Sequence, residues 1–150
     1  MSELAGLIPH SGSMCLLDRV IEHSGQDIEC AARSHQAPDH PLRRDGQLSA
    51  LHLVEYAAQA MAAHGALISG GVQQGMLAAL RHIRLHVERI DDIDTEINVK
   101  ATRRLAQTTG SLYDFSIHGG GLFKRLAIDD ANRVQCRSTL VVCIDAGQIC

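Results

Sequence analysis

The chain has 150 residues, a formal net charge of −3 and an apolar fraction of 45%. Together these describe one folded domain spanning 1–150 and exclude both a disordered segment and a general nucleic-acid-binding surface. No Trp is present, which argues against stacking platforms for single strands. No apolar run reaches the length of a membrane span, and Met1-Ser2-Glu3-Leu4 lacks the basic start of a signal peptide.

From the N-terminus, 14–22 (MCLLDRVIE) and 27–34 (DIECAARS) are short apolar-rich runs joined by His23-Ser24-Gly25-Gln26, and the spacing predicts two strands with a hairpin-like turn. A polar loop, 35–47, follows, with Pro38, Pro41 and Gly46 preventing regular structure. Ser49 stands at an N-cap position before 51–68, a continuous helical stretch stopped by Gly70-Gly71. Ala57, Ala58, Ala60, Ala62, Ala63, Gly65 and Ala66 make that helix thin, and Glu55 is its single charged residue, so it is expected to be enclosed by its own protein. Further on, Ile83/Leu85/Val87, Ile97/Val99/Ala101 and Tyr113/Phe115/Ile117 each alternate with more polar residues, the period of a half-buried strand. The run 136–144 reads as a final buried strand. Strands on both sides of one long helix imply an α+β fold with an antiparallel sheet wrapped around the helix.

The five cysteines (Cys15, Cys30, Cys136, Cys143, Cys150) form no C-x-x-C pair and are odd in number, which fits a reduced, cytoplasmic protein. Nine histidines invite a metal reading, but no third ligand stands at a recognisable spacing from His82 and His86 or from His35 and His40, so no metal is expected. Gly119-Gly120-Gly121 is a turn signal without the Lys-Ser/Thr of a phosphate loop.

The chemistry-bearing residues are His40, on the loop, and Glu55, fifteen positions later in the helix. A carboxyl group among small apolar residues is costly unless paired or used, and an imidazole with a carboxyl group forms a natural proton-moving pair. Burial would raise the Glu55 pKa toward the protonated acid, and Gln59, one turn on, is placed to orient it. The plain alternatives are a structural Glu55 bonded to backbone and a solvated loop histidine at position 40. His52, three residues before Glu55, is the rival base, His10 reads as a structural anchor of the first turn, and His64 as a helix-surface or interface residue. Ala50 and Leu51, at the positive helix start, are the candidate backbone donors to a substrate oxygen that develops negative charge.

Pro9-His10-x-x-x-Met14-x-Leu16-Leu17-Asp18-Arg19-Val20, together with Glu55-x-x-Ala58-Gln59, resembles the 3-hydroxyacyl-acyl carrier protein dehydratases, over roughly Leu7 to Thr109. His40-Pro41-Leu42-Arg43-Arg44-Asp45-Gly46 with Glu55-Tyr56-Ala57-Ala58-Gln59-Ala60 is similar to a divergent branch encoded with aryl polyene, polyketide-like pathways. The resemblance implies a hot-dog fold and dehydration of carrier-bound 3-hydroxyacyl chains. It implies His40 as base and Glu55 as acid contributed by two subunits of a homodimer or a mixed dimer, and no cofactor beyond the phosphopantetheine that carries the substrate. Arg43 and Arg44 are the candidate contacts for the acidic acyl carrier protein or its phosphopantetheine phosphate, the plain alternative being a solvated loop. The sequence departs from that family: Asp39 precedes the histidine, Pro41 replaces an aromatic, Ser49-Ala50 occupies a Pro-Gly position and the His–Glu spacing is one longer. The stretch Gly119–Arg133 is also longer than the family's turn. Competing functions are a hot-dog thioesterase, in which Glu55 would activate water or attack the thioester, and a catalytically weak partner subunit that completes a relative. A plain acyl-binding module fits least, because a buried acid opposes an apolar ligand.

Overall fold

The computed structural model describes residues 3–72, 75–119 and 136–144, the last of these by backbone. Its elements are β1 (Arg19–His23), β2 (Asp27–Ala32), α1 (Leu53–Ser69), β3 (Gly75–Arg84), β4 (Ile97–Gln107), β5 (Gly110–Gly119) and β6 (Cys136–Ile144), with short 3-10 turns at Glu3–Gly6, Gly12–Met14, Ser34–Gln36 and Ala50–His52. The strands form one six-stranded sheet in the order β1-β2-β4-β5-β6-β3, every neighbouring pair antiparallel. α1 packs against β2, β4 and β5. This is the hot-dog arrangement, a sheet wrapped round one helix.

Alternation positions the sheet on the helix. Ile28 and Cys30 of β2, Ile97, Val99 and Ala101 of β4, and Tyr113, Phe115 and Ile117 of β5 are all buried. They meet Leu53, Tyr56, Ala57, Ala60, Met61 and Ala63 of α1, whose small side chains let the sheet approach closely. Seventeen residues give α1 a length of about 26 Å. Its first turn is 3-10, with Ser49 Oγ accepting from the Leu51 amide at 3.3 Å. Its end is a left-handed Gly70 (φ 77°), with the Gly71 amide returning to the Ala66 carbonyl, a conformation that glycine adopts without a Cβ penalty.

Three expectations are corrected. The first strand begins at Arg19 rather than Met14, because 12–14 form a 3-10 turn, while Leu16 and Leu17 are buried outside the sheet. The alternation at 83–88 is real in burial, but only Ile83 and Arg84 belong to a strand. β3 runs earlier, from Gly75, and ends at Arg84 beyond a bulge at which His82 takes φ 56°. The helix is not enclosed on all sides: Ala58, Ala62 and Gly65 face a cavity instead of the sheet. Residues 120–133, the side chains of Cys136 and Cys143 with the burial of their strand, and Cys150 lie outside the described residues. Among the described residues, no helix is long and apolar enough to cross a membrane.

Candidate functional site

Glu55 lies in the first turn of α1 and is its single acidic residue. Its side chain is about one-third exposed, which corrects the expectation of full enclosure. The carboxyl group stands at one end of a cavity of about 400 Å³, beside Pro9 and His10. From there the cavity follows the small-residue stripe Ala58, Ala62 and Gly65, with Met76 and Leu77 of β3 beside it and Arg103, Ser111 and Tyr113 toward the helix C-terminus. A Cβ at Gly65 would meet nothing within 4 Å, so the space beside the helix is open there.

Two side chains hold the carboxyl group, both through one oxygen. His10 Nε2 lies 3.1 Å from Glu55 Oε1, and Gln59 Nε2 donates to the same oxygen at 3.2 Å. Gln59 is fully buried and has a second task. Its Oε1 accepts the Leu16 amide at 2.9 Å, and its Nε2 donates to the Met14 carbonyl at 2.7 Å. One amide side chain thus fixes both the acid and the N-terminal segment that carries His10. Cys15 Sγ, on that segment, donates to the His10 carbonyl at 3.1 Å. His10, read from the sequence as a structural anchor, therefore touches the carboxyl group. The signal available for it was its place in the Pro9-His10 motif.

His40 and Glu55 are not brought together within the chain. His40 is buried, and both its nitrogens are bonded elsewhere. Nδ1 accepts the Leu42 amide at 3.1 Å, so the neutral ring carries its hydrogen on Nε2 and donates it to Tyr56 Oη, also at 3.1 Å. Ser34 Oγ donates to the Leu16 carbonyl at 2.7 Å and so accepts from Tyr56 Oη, at 2.7 Å. The relay uses each hydroxyl hydrogen and both ring nitrogens once and leaves the neutral imidazole no free lone pair. Burial pushes His40 below the ordinary imidazole range, and the nearby His52 and Arg43 add to this. Burial likewise pushes the Tyr56 hydroxyl up to about 12.

The other sequence candidates are dispersed. His52 ends the 3-10 turn next to His40 and does not line the cavity. The Ala50 amide donates to the Glu88 carbonyl at 2.9 Å and the Leu51 amide is taken by Ser49, so neither backbone donor is free for a thioester oxygen as expected. Arg43 is also committed: it donates to the carbonyls of Ala37, Gly46 and His35 and lies 3.5 Å from Asp91. Asp91, its side chain 5% exposed and also paired with Arg89, accepts the Leu48 amide at 2.8 Å. The Arg89 bond holds its carboxyl group down at about 2. Arg44 remains exposed, its side chain donating to the Arg43 carbonyl. His64 is not a surface residue: it is fully buried, bonded to Tyr113 Oη at 2.9 Å and to the Ser24 carbonyl at 3.0 Å. Among the described residues, no cluster of three His, Cys, Asp or Glu is placed to hold a metal.

Comparison with known proteins then bears on what such a site does. A family profile described as ApeP-like, ApeP dehydratase, matches residues 2–142. Among solved structures, the chain is similar to the dehydratase heterocomplex ApeI:P from Xenorhabdus doucetiae, with 19% identity, a TM-score of 0.77, and coverage of 94% of this chain and 90% of that one. It is also similar to a hypothetical thioesterase with coenzyme A from Streptococcus pneumoniae TIGR4 (13% identity, TM-score 0.57, 87% of this chain and 86% of that one). A third similar structure is the PaaI protein of the phenylacetic acid degradation operon of E. coli (11% identity, TM-score 0.55, 83% and 80%). No curated protein matches the sequence.

Proposed function

The chain belongs to the ApeP-like dehydratase family, and on that premise we propose that it removes water from 3-hydroxyacyl thioesters carried on the phosphopantetheine arm of an acyl carrier protein, giving trans-2-enoyl thioesters in an aryl polyene or fatty acid-like pathway. The observation that carries this reading is the Glu55 carboxyl group, held by His10 and Gln59 at one end of a long apolar cavity. Glu55 is the acid that protonates the departing C3 hydroxyl. The Ala58–Ala62–Gly65 stripe leaves room for the chain beyond C3, so the reacting carbons lie at the polar end and the acyl tail lies along the helix. The reaction needs no cofactor besides the carrier's phosphopantetheine. Arg44, exposed on the His40 loop, is the residue of its pair left to meet an acidic carrier.

We also propose that the working unit is a mixed assembly with a second hot-dog subunit. The ApeI:P relative is a heterocomplex, and here β3 ends the sheet with Met76 and Leu77 exposed beside the cavity. A long apolar edge strand is a pairing surface.

The test is mass spectrometry of a carrier-linked 3-hydroxyacyl substrate after incubation with the chain, expressed alone and with its hot-dog partner. Loss of water from the carrier-bound chain, reduced about 10²–10⁴-fold in Glu55→Gln, is the expected outcome. Release of the free acid with the carrier thiol restored would show a thioesterase instead.

A further inference from the structure

We propose that Arg103 sets the length of acyl chain this protein accepts: with Tyr113 it forms a polar collar across the cavity, and a hydrocarbon chain is accepted as far as that collar. This rests on the dehydratase reading, which takes the cavity to hold an acyl chain, and adds a limit on that chain.

A charge stands on the inner face of the sheet. The inward row of β4 runs Ile97, Val99 and Ala101, all fully buried, and the next residue of that row is the half-buried Arg103. Arg103 lies directly opposite Tyr113 of β5, as Ala101 lies opposite Phe115, and such partners point to one side of a sheet. Tyr113 is buried in the core on the helix side, so Arg103 points there too, and both line the cavity. The pair is held from behind. His64 Nε2 donates to the Ser24 carbonyl at 3.0 Å, which leaves Nδ1 to accept the Tyr113 hydrogen at 2.9 Å. Arg103 Nη2 donates to the Gly25 carbonyl at 2.9 Å, and its amide donates to the Gln26 carbonyl at 2.7 Å. Three consecutive carbonyls of the β1–β2 turn thus tie the collar in place.

The collar also has a definite depth. His64 is nine residues beyond Glu55, a rise of about 14 Å along the helix, and Tyr113 Oη is bonded to it. Between the two levels the helix lines the cavity with Ala58, Met61 and Ala62, so an alkyl chain buries carbon against carbon. At the collar the same chain would cover a guanidinium and a phenol oxygen without replacing their water, which costs free energy for each group. Chain is therefore favoured up to the collar and penalised beyond it. Gly65 follows His64 and lines the cavity at this depth, where a Cβ would meet nothing within 4 Å.

The experiment is a length series of straight-chain, methyl-terminated 3-hydroxyacyl groups on the carrier, with kcat/KM for loss of water measured at each length. Wild type, Arg103→Ala, Arg103→Met and Gly65→Leu are each assayed in the assembly in which the chain purifies. Turnover by the Glu55→Gln assembly is subtracted as the share of any partner subunit. In wild type, kcat/KM is expected to fall at least about tenfold beyond one length. Arg103→Ala is expected to move that fall to longer chains. Arg103→Met, which keeps the bulk of the side chain without its charge, is expected to do the same, so a failure of Arg103→Ala to fold leaves the test intact. Gly65→Leu, which puts a side chain into the cavity at the collar, is expected to move the fall to shorter chains. A fall at the wild-type length in the folded Arg103 variants would overturn the assignment, as would a Gly65→Leu protein that matches wild type at every length. Release of free acid with no enoyl product would remove the dehydratase reading, while the lengths of the acids released would still decide the collar.

Discussion

At the scale of single residues, the direction of a side chain decided what spacing along the chain could not. Glu55 and Tyr56 are neighbours, but successive helix residues point about 100° apart. Glu55 therefore turns to the cavity while Tyr56 turns into the core and receives His40. That Glu55 is set apart from the rest of its helix was legible, because it is the single charge in an alanine-rich segment. Which histidine meets it was not, since His10 and His40 both stand in recognisable motifs and only the folded path of the N-terminal segment separates them. Gln59 holds that segment. Gln59→Leu removes a partner from the buried Leu16 amide and from the Met14 carbonyl, at roughly 1–3 kcal/mol for each group left unpaired. It also frees the Glu55 carboxyl group. We expect a clear loss of unfolding free energy in urea together with a fall in kcat. Gln59→Leu turnover equal to wild type would show that Glu55 needs no such orientation.

At the scale of elements, β4 and β5 were legible from period-two burial, and α1 from its cap, its composition and its terminal glycines. β3 was missed because its first four residues are exposed on both faces, which leaves no alternation to read. Its first six residues are GMLAAL, and the alternating stretch that follows belongs mostly to the segment leading back toward Ser49. Where β5 ends the sheet leaves no room for a side chain. Gly119 pairs with Ile97, and a Cβ there would lie 2.7 Å from Ile97 Cγ2, with Ile97 itself fully buried. Gly119→Ala forces that side chain or strand to move, and overpacking of this kind costs about 1–3 kcal/mol. The predicted result is a lowered denaturation midpoint, whereas Gly65→Ala, into open space, leaves the midpoint nearly unchanged.

At the scale of the whole molecule, acid sensitivity follows from three buried imidazoles. Burial holds His35, His40 and His64 below the ordinary value of 6.5. Below pH 6.5 the unfolded chain therefore binds more protons than the folded one, and stability falls as pH falls through that range. Asp91 works in a different window: paired with Arg89 and titrating at about 2, it stays ionised until far lower pH. Its contribution is present above the ordinary carboxyl value and is lost only as pH drops toward 2, so a fall in Tm between pH 7 and pH 5 is assigned to the histidines. Thermal melts across that range are expected to be steeper for wild type than for His64→Gln, and equal slopes would contradict the assignment. One larger consequence comes from β3. Its inner side is joined to β6 and its outer side to nothing among the described residues. If the working unit is the mixed assembly proposed above, this is a seam left unsewn, and the useful yield of the chain then depends on how promptly another edge arrives to close it.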